Sequence, residues 1–309
     1  KRRLFMTATP RIFTGRVQKQ AKESDFEIAS MDDEAIFGPE FHRLSFGKAI
    51  DQGLLSDYQV LVVGVTDSQV KAWTEERAFV TRDGKEVENA RDLASHIALL
   101  KAMRDHDLRR VITFHNRVSR ARTFSNELPG VNAWMDASRR LPGTVHAEHV
   151  SGEMSAGKRG KSLQALRNLS DGERRVLSNA RCLSEGVDVP SIDGVAFVEP
   201  RRSQVDVVQA VGRAIRLSED KKVGTIVLSL FIGEGDDPLE CIDDSDFKAI
   251  GQILQALRDH DETLAEELDA SRRKLGRLPG RPSECPQRLV FDIPVEFVGA
   301  DFVDALTTR

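Results

Sequence analysis

The sequence predicts an α/β protein built on a parallel sheet with helices on both faces. Short apolar runs rich in β-branched residues recur along the chain, as in YQVLVVGV and VGTIVLSLF. Between them lie longer stretches whose apolar residues follow the spacing of a helix. Strands that alternate with helices form βαβ units, and the sheet that such units build is parallel and covered on both sides.

The individual elements follow from these runs. The predicted strands are Tyr58–Val65, Arg110–His115, His146–Val150, Arg174–Ser178, Gly194–Val198 and Val223–Phe231. The predicted helices fall at about Asn89–Arg104, Ser119–Leu128, Ala156–Leu169, Ser203–Arg216 and Ser245–Leu268. In the last of these, the periodic apolar residues indicate a helix with one buried face and one acidic face, and a charged docking surface is the alternative.

The composition excludes several classes of protein. With 309 residues the chain has room for about two domains, and its 40% hydrophobic and 30% charged residues are typical of a soluble globular protein. No run approaches the ~18 apolar residues that span a bilayer. The three cysteines, Cys182, Cys241 and Cys285, lie too far apart for a disulfide framework or a CxxC zinc site. We therefore expect a cytoplasmic protein with neither a membrane segment nor a metal centre.

The charge of the chain is unevenly distributed. The formal net charge of −4 argues at first against a nucleic-acid partner. However, residues 234–269 contain thirteen acids and two bases, so the rest of the chain is net basic. Arginine, which can bind phosphate through two parallel hydrogen bonds, accounts for 32 of the 45 basic residues. Outside its acidic segment, the sequence therefore suits a polyanionic partner.

The predicted helix Ser203–Arg216 has one apolar and one polar face. At 100° per residue, Gln209, Arg213 and Arg216 lie within about 60° of one another. Gly212, beside Arg213, lets another group approach the backbone closely. Two guanidiniums on one face suit a polyanion such as a triphosphate, and a solvated basic face is the alternative.

Polar residues also follow several predicted strands. In the segment 178–190, Gly186 permits a tight turn and Asp188 offers an acceptor for a sugar hydroxyl, with an ordinary turn as the alternative. Parallel sheets bind ligands outside the carboxyl ends of their strands. Further polar residues at such ends are His115, Asn116, Arg117, Ser151, Gly152 and Asn179.

One segment comes close to a phosphate-binding loop without matching it. Gly152–Arg159 (GEMSAGKR) follows the pattern GxxxxGK[ST] except that Arg159 takes the place of the hydroxyl residue that holds magnesium. We therefore expect no working phosphate loop there, and a small-molecule kinase has only this near match in its favour.

Taken together, the motifs resemble those of superfamily-two helicases. Residues 4–11 (LFMTATPR) resemble motif III, residues 178–190 resemble motif V, and residues 209–216 (QAVGRAIR) match the QxxGRxxR pattern of motif VI. Their order and spacing agree with the family over about residues 1–232. The segment 44–60 is similar to the stretch that joins the two lobes in motor subunits of type I, type III and single-chain restriction enzymes.

This resemblance implies a RecA-like fold in three parts. Residues 1–57 correspond to the tail of a first RecA-like lobe, with motif III, and an inter-lobe linker. Residues 58–232 correspond to the second lobe, and residues 233–309 to an acidic helical extension and a loop-rich connection to a following domain. Motifs I and II, with the Walker lysine and the magnesium carboxylate, belong to the first lobe and do not occur in this sequence. We therefore expect a piece of a longer protein, in which ATP and Mg²⁺ are bound mainly by the missing lobe.

The resemblance also implies roles for individual residues. Arg213 and Arg216 would contact the β- and γ-phosphates of ATP, one of them as an arginine finger, and Gln209 would orient the attacking water or contact the γ-phosphate. Gly186 and Asp188 would approach the nucleotide or its ribose. The coupling element would be Thr7, Ala8 and Thr9, and the contacts to one nucleic-acid strand would come from His115, Asn116, Arg117, Ser151, Gly152 and Asn179.

The implied function is that of an ATP-dependent helicase or translocase. DNA is the expected substrate, with RNA as the alternative, and the joining segment suggests the motor of a restriction or phage-defence system with nuclease or methyltransferase domains elsewhere. We expect this chain alone not to hydrolyse ATP. The alternative from a different class is a non-catalytic RecA-like module that only holds nucleic acid or a protein partner.

Overall fold

The described residues fall into two compact units. The computed structural model describes residues 3–7, 10, 12, 28–74, 85–180, 182, 192–199, 204–218, 223–233, 245–277 and 287–293. The units are Lys1–Ser45 and Phe46–Arg309. Within the first, helix α1 (Glu34–Phe37) begins at Asp33, whose carboxylate accepts a hydrogen bond from the Ala35 N–H at 2.9 Å.

The second unit is built on a parallel sheet that has seven strands in the part of the chain described. In sequence they are β1 (Asp57–Thr66), β2 (Arg110–Phe114), β3 (Thr144–Ser151), β4 (Glu173–Ala180), β5 (Gly194–Phe197), β6 (Val223–Ile232) and β7 (Leu289–Asp292). Their spatial order is β3-β4-β2-β5-β6-β1-β7, and each neighbouring pair is parallel. The six strands predicted from sequence are confirmed, and β7 is additional.

Helices cover both faces of this sheet. They are α2 (Phe46–Asp51), α3 (Asp67–Thr74), α4 (Lys85–Asp105), α5 (Val118–Trp134), α6 (Ala156–Arg167), α7 (Gln204–Ala214), α8 (Ser245–Arg258) and α9 (Glu262–Arg277). Along β1, Leu61 and Val63 join the core beneath α4 and α5, whereas Val60 and Val62 join the core beneath α7 and α8. This alternation buries the strand on both sides, and it confirms the α/β class and the doubly covered parallel sheet.

Helix α5 is longer than the sequence predicted. The prediction ended it at Leu128, before Pro129, but the helix continues to Trp134. A proline inside a helix removes one backbone hydrogen bond and costs about 3 kcal/mol. Here the turns that follow are held by tertiary contacts: Val131 is buried, and the Asn132 side chain exchanges two hydrogen bonds with the backbone of Leu141. Packing therefore outweighs the local preference.

The predicted single helix Ser245–Leu268 is two helices. Helix α8 ends at Arg258, and α9 starts at Glu262 after a corner of three residues, 259–261. The corner forms because Asp261 caps α9: its Oδ1 accepts hydrogen bonds from the N–H groups of Thr263 (3.0 Å) and Leu264 (3.2 Å). The predicted buried face is confirmed at Ile250, among others, while the side chain of Phe247 lies outside the described residues.

The region read as a loop-rich connection contains regular structure. Helix α9 continues to Arg277, and Leu289–Asp292 pairs in parallel with β1 at the edge of the sheet. The four-residue strand β7 begins after Arg288, whose carbonyl accepts a hydrogen bond from Val60 N–H at 2.7 Å. The run of four residues is too short to predict a strand from sequence, and it becomes one by pairing with β1. Among the helices in the described segments, none is long and apolar enough to cross a membrane.

Candidate functional site

Three adjacent strands end together at the carboxyl edge of the sheet. Asn179 of β4 lies opposite Phe114 of β2 on one side and Val150 of β3 on the other. Consequently His115 and Ser151, the next residues along β2 and β3, reach the same edge. The structure thus brings together the strand-end residues that the sequence singled out.

A buried hydrogen-bond network lies just beneath this edge. The Thr113 hydroxyl donates to the Ser178 hydroxyl at 2.9 Å, and His115 Nε2 lies 2.9 Å from the same Thr113 oxygen. Because a hydroxyl has one proton to donate, this arrangement makes His115 Nε2 the donor to Thr113. All three residues are buried. We call Thr113, His115 and Ser178 the strand-end network.

Asn179 extends this network towards the next loop. Its backbone carbonyl accepts a hydrogen bond from His115 N–H at 2.9 Å, and its Oδ1 accepts from the N–H and the thiol of Cys182, each at 3.1 Å. Burial raises the pKa of the Cys182 thiol, and the charge of Arg159 partly offsets this, so the thiol stays protonated and able to donate. His115 and Asn179 are therefore buried residues that fix the backbone at the edge, whereas Asn116, which follows His115, is exposed.

The residues after β2 are exposed and lead into helix α5. Asn116 and Arg117 are both exposed, and Asn116 N–H donates to Glu199 Oε2 at 2.6 Å. Arg117 is the N-cap of α5, and its side chain makes no capping hydrogen bond. The first turn of a helix presents backbone N–H groups and a partial positive charge, an arrangement that favours anions.

Cations cluster near the carboxyl half of β3. Arg122 Nε lies 3.4 Å from Nε2 of His149. Burial, and then the charges of Arg122 and Lys158, lower the pKa of His149, so its imidazole is neutral and accepts from Arg122. This side of the edge therefore has positive charge on α5 and α6.

The near match to a phosphate loop is a short capped turn. Ser151 is buried and Gly152 exposed. Arg159 Nη1 donates to the carbonyls of Gly152 (3.3 Å) and Met154 (2.5 Å), and the Ser155 hydroxyl accepts from the Lys158 N–H. The Arg159 guanidinium thus binds the carbonyl groups of the turn. The Lys158 N–H, which a phosphate would need, is already bonded to the Ser155 hydroxyl. This geometry agrees with the expectation that no phosphate loop forms here.

Helix α7 carries Gln209 and Arg213, and Arg216 follows the end of this helix. Gln209 and Arg216 are half-buried, and Arg213 is buried, with 6% of its surface exposed. A side-chain Cβ at Gly212 would meet nothing within 4 Å, so the backbone there is open to an approaching group.

The helix is shorter than the predicted Ser203–Arg216. Helix α7 ends at Ala214, so Arg216 lies two residues beyond it. Two neighbours stop the helix at this point. Ser56 N–H donates to the carbonyl of Ile215 at 2.7 Å, and Gly224 of β6 approaches the Ala214 carbonyl so closely that any Cβ there would overlap it.

Several predicted site residues lie outside the described part of the chain: Gly186, Asp188, Ala8 and Thr9. Thr7 is described and exposed. In the described segments, no group of three or more His, Cys, Asp or Glu side chains could hold a metal ion.

Sequence reasoning overlooked several polar residues that organise this part of the molecule. Thr113 and Ser178 interrupt the apolar strand runs, and this interruption was a usable signal for a buried polar cluster. Ser56 lies in a polar stretch with nothing in its local pattern to mark it. Ser56 and Asp261 both have side-chain partners that are far away in the sequence, so only the folded chain identifies those contacts.

Comparisons with known proteins place this fold in a family. Residues 94–218 match the helicase conserved C-terminal domain, a segment that runs from α4 through β2, β3, β4 and β5 to just beyond α7. The chain carries a helicase conserved C-terminal domain at residues 94–218. Recognition of the family from its motifs is thereby confirmed.

The helicase C-terminal domain has relatives among restriction enzymes and viral helicases. A solved structure described as an ATP-dependent Type ISP restriction-modification enzyme, LlaBIII, bound to DNA matches 90% of this chain at 28% identity with a TM-score of 0.72. The protein named "Probable helicase A859L" of African swine fever virus is 25% identical over 86% of this chain. The chain spans only 18% of the first of these proteins and 26% of the second.

Proposed function

We propose that this chain is the C-terminal part of an ATP-dependent DNA translocase or helicase that acts as the motor of a restriction or phage-defence system. The observation that carries the proposal is the likeness, over 90% of the chain, to an ATP-dependent restriction–modification enzyme bound to DNA. In this proposal residues 58–232 are the second RecA-like lobe, residues 1–57 are the end of the first lobe with its linker, and residues 233–309 lead to a following domain. The three widely spaced cysteines agree with a cytoplasmic location.

On the nucleotide side, the helix α7 region supplies positive charge for the phosphates. Arg213 and Arg216 contact the β- and γ-phosphates of ATP held by the first lobe together with Mg²⁺, and Gln209 positions the attacking water or the γ-phosphate. The burial of Arg213 supports a role as arginine finger, because a charge in a water-poor site acts more strongly on charge that develops in the transition state. Gly186 and Asp188 approach the ribose or the nucleotide in the same proposal.

On the nucleic-acid side, the edge formed by β2, β3 and β4 follows the phosphates of one strand. Asn116, Arg117 and Gly152 are exposed there, next to the first turn of α5. His115, Ser151 and Asn179 are buried and hold the backbone that makes the contacts. Contacts of this kind recognise phosphate rather than base, as a motor that moves along any sequence requires.

Movement follows from what each lobe can reach. ATP draws the lobes together because only then do the arginines reach its phosphates, and hydrolysis removes that attraction. Thr7, Ala8 and Thr9 couple the two events, since motif III belongs to the first lobe. The strand is thus held and released in turn as ATP is consumed.

The test is Arg213→Ala in the full-length protein. DNA-stimulated ATP turnover should fall by about a thousand-fold or more, as for loss of other arginine fingers. The dissociation constant for DNA, measured by fluorescence anisotropy, should not change. Arg139→Ala, at an exposed arginine in the turn after α5, is the matched control and should keep full turnover.

Unchanged turnover in Arg213→Ala would overturn the assignment of the finger. A full-length protein that binds DNA but never hydrolyses ATP would instead indicate the non-catalytic module. Robust hydrolysis by residues 1–309 alone would mean that this chain has a complete nucleotide site of its own.

A further inference from the structure

The segment that precedes the sheet is fastened at both ends. At its start, Phe46 N–H donates to the carbonyl of His260 at 2.9 Å, in the corner between α8 and α9. At its end, Ser56 N–H donates to the carbonyl of Ile215 at 2.7 Å, just after α7. Residues 46–57 therefore connect the α8–α9 corner with the end of the helix that carries Arg213.

The α8–α9 corner is held rigidly by a buried carboxylate. Asp261 is 0% exposed; its Oδ1 caps α9, and its Oδ2 accepts hydrogen bonds from the Tyr58 hydroxyl (2.8 Å) and from Arg288 Nη1 (2.9 Å). We call Tyr58, Asp261 and Arg288 the corner network. It ties the corner to β1 and to the residue that precedes β7.

Helix α2 fits closely against this corner. A Cβ at Gly47 would lie 2.8 Å from Thr263 Oγ1 and 3.0 Å from Asp261 Oδ1. Both distances are shorter than ordinary carbon–oxygen contacts, so glycine is what allows α2 to pack here. Lys48 and Glu262 add an ion pair at 3.4 Å on the exposed side.

The other end of the segment acts directly on the residues after α7. Besides its N–H bond to Ile215, Ser56 donates its hydroxyl to the carbonyl of Arg216 at 3.3 Å. The last carbonyls of a helix lack partners within the helix, so an outside donor decides how the chain leaves it. Ser56 thus fixes the backbone at Arg216 itself, and does so two residues beyond the end of α7.

We propose that residues 46–57, which form the end of the linker between the lobes, and the α8–α9 corner make a clamp that positions Arg213 and Arg216. Gly47 and Ser56 are then positioning residues, which act on ATP hydrolysis through the arginines and touch no substrate. This inference rests on the proposed function. In this proposal helices α8 and α9, which follow the helicase domain, contribute to ATP hydrolysis, because their corner holds the segment that joins the two lobes.

The first test is Gly47→Ala in the full-length protein, with Gly130→Ala as the matched control. Both glycines lie inside helices, but a Cβ at Gly130 meets nothing within 4 Å. Hydrogen exchange at the Phe46 and Ser56 amides should accelerate in Gly47→Ala and stay at the wild-type rate in Gly130→Ala. The kcat for DNA-stimulated ATP hydrolysis should fall by about ten-fold to a hundred-fold in Gly47→Ala, because small misplacements of a catalytic group have effects of that size.

The second test is Ser56→Ala, which introduces no bulk and so guards against a Gly47→Ala protein that fails to fold. It should lower kcat while the KM for ATP and the temperature of unfolding stay near wild type, the pattern of an interaction that matters in the transition state. Ser56→Thr retains the hydroxyl and should restore most of the turnover.

Wild-type exchange rates at Ser56 in Gly47→Ala would overturn the clamp, as would an unchanged kcat in Ser56→Ala. A fall in unfolding temperature with full turnover would also overturn it, because the segment would then be merely structural. Failure of the proposed function has a different signature: the wild-type protein would show no DNA-stimulated turnover, whereas the exchange comparison would still report whether the corner holds the segment.

Discussion

The strand-end network and the corner network are both buried polar clusters in the same unit, but they connect different things. The strand-end network joins Thr113, His115 and Ser178, which lie on or next to the neighbouring strands β2 and β4, through two hydroxyls and an imidazole. The corner network joins Tyr58, Asp261 and Arg288, which are far apart in the sequence, through two charged groups and a phenol. The first shapes an edge where a ligand can lie, and the second holds remote segments of the chain together.

Removing one member of the corner network should destabilise the protein more than removing one member of the strand-end network. A buried ion costs much more to leave unpaired than a buried hydroxyl does. Burial lowers the pKa of Arg288, but the carboxylates of Asp261 and Asp57 raise it by more, so the guanidinium remains charged. The Arg288 guanidinium lies over the ring of Tyr58, with 5.0 Å between its Cζ and the ring centroid, and this adds a cation–π contact.

The largest expected effect is that of Asp261→Ala. It leaves Arg288 and the Tyr58 hydroxyl without their shared acceptor and removes the cap of α9. We expect the free energy of unfolding, from urea titration followed by circular dichroism, to fall by about 3–5 kcal/mol. Asp269→Ala on the same helix breaks an ion pair with Arg258. The Asp269 side chain is 43% exposed, so the free energy of unfolding should fall by less than about 1 kcal/mol. Equal losses of unfolding free energy in the two variants would show that the buried corner network stabilises the protein no more than an exposed ion pair does.

A smaller effect is expected from Thr113→Val in the strand-end network. The change keeps the shape of the side chain but leaves His115 Nε2 and the Ser178 hydroxyl without their partner. The free energy of unfolding should fall by about 1–3 kcal/mol, the usual cost of removing one partner from buried hydrogen bonds. Thr144→Val, at the exposed start of β3, is the control and should be near neutral. A loss as large as that of Asp261→Ala would contradict the expected difference in stability between the strand-end network and the corner network.

The difference between neighbouring and remote partners also explains which features the sequence could predict. Six of the seven described strands were predictable, because their apolar β-branched runs express a burial that is continuous along the chain. The strand-end residues were also predictable as a group, since parallel strands bring their carboxyl ends to one edge. The identities of Arg213 and Arg216 as candidates came from the pattern QxxGRxxR, which is local in the sequence.

Features that depend on distant partners were missed. Strand β7 exists because it pairs with β1, and α5 passes Pro129 because of packing and the bonds between Asn132 and Leu141. The break between α8 and α9 did leave a local signal, since Asp261 followed by Glu262 and Thr263 is a typical helix start. That signal was outweighed by an apolar period that continues across the corner.

The smallest expected effect concerns Tyr58, and it also gives the most direct view of the corner network. Tyr58 is the only tyrosine in the chain, so tyrosinate absorbance near 295 nm reports on this residue alone. Burial, and then the charge and hydrogen bond of Asp261, raise the pKa of its phenol far above the usual 10.0. The folded protein should therefore show no tyrosinate until it unfolds. A reversible rise near pH 10 with unchanged circular dichroism would mean that the phenol is not enclosed as described.

The sign of the linked stability change follows from this raised pKa. Below pH 10 the phenol is protonated in both states, so the full contribution of the network is present. Above pH 10 only the unfolded chain loses the proton, so the free energy of unfolding falls as the pH rises. Tyr58→Phe should cost about 1 kcal/mol at neutral pH, the usual value of one hydrogen bond. The cost should shrink as the pH rises above 10, because the variant has no phenol to ionise. A cost that stays constant with pH would show that the bond to Asp261 does not control this proton.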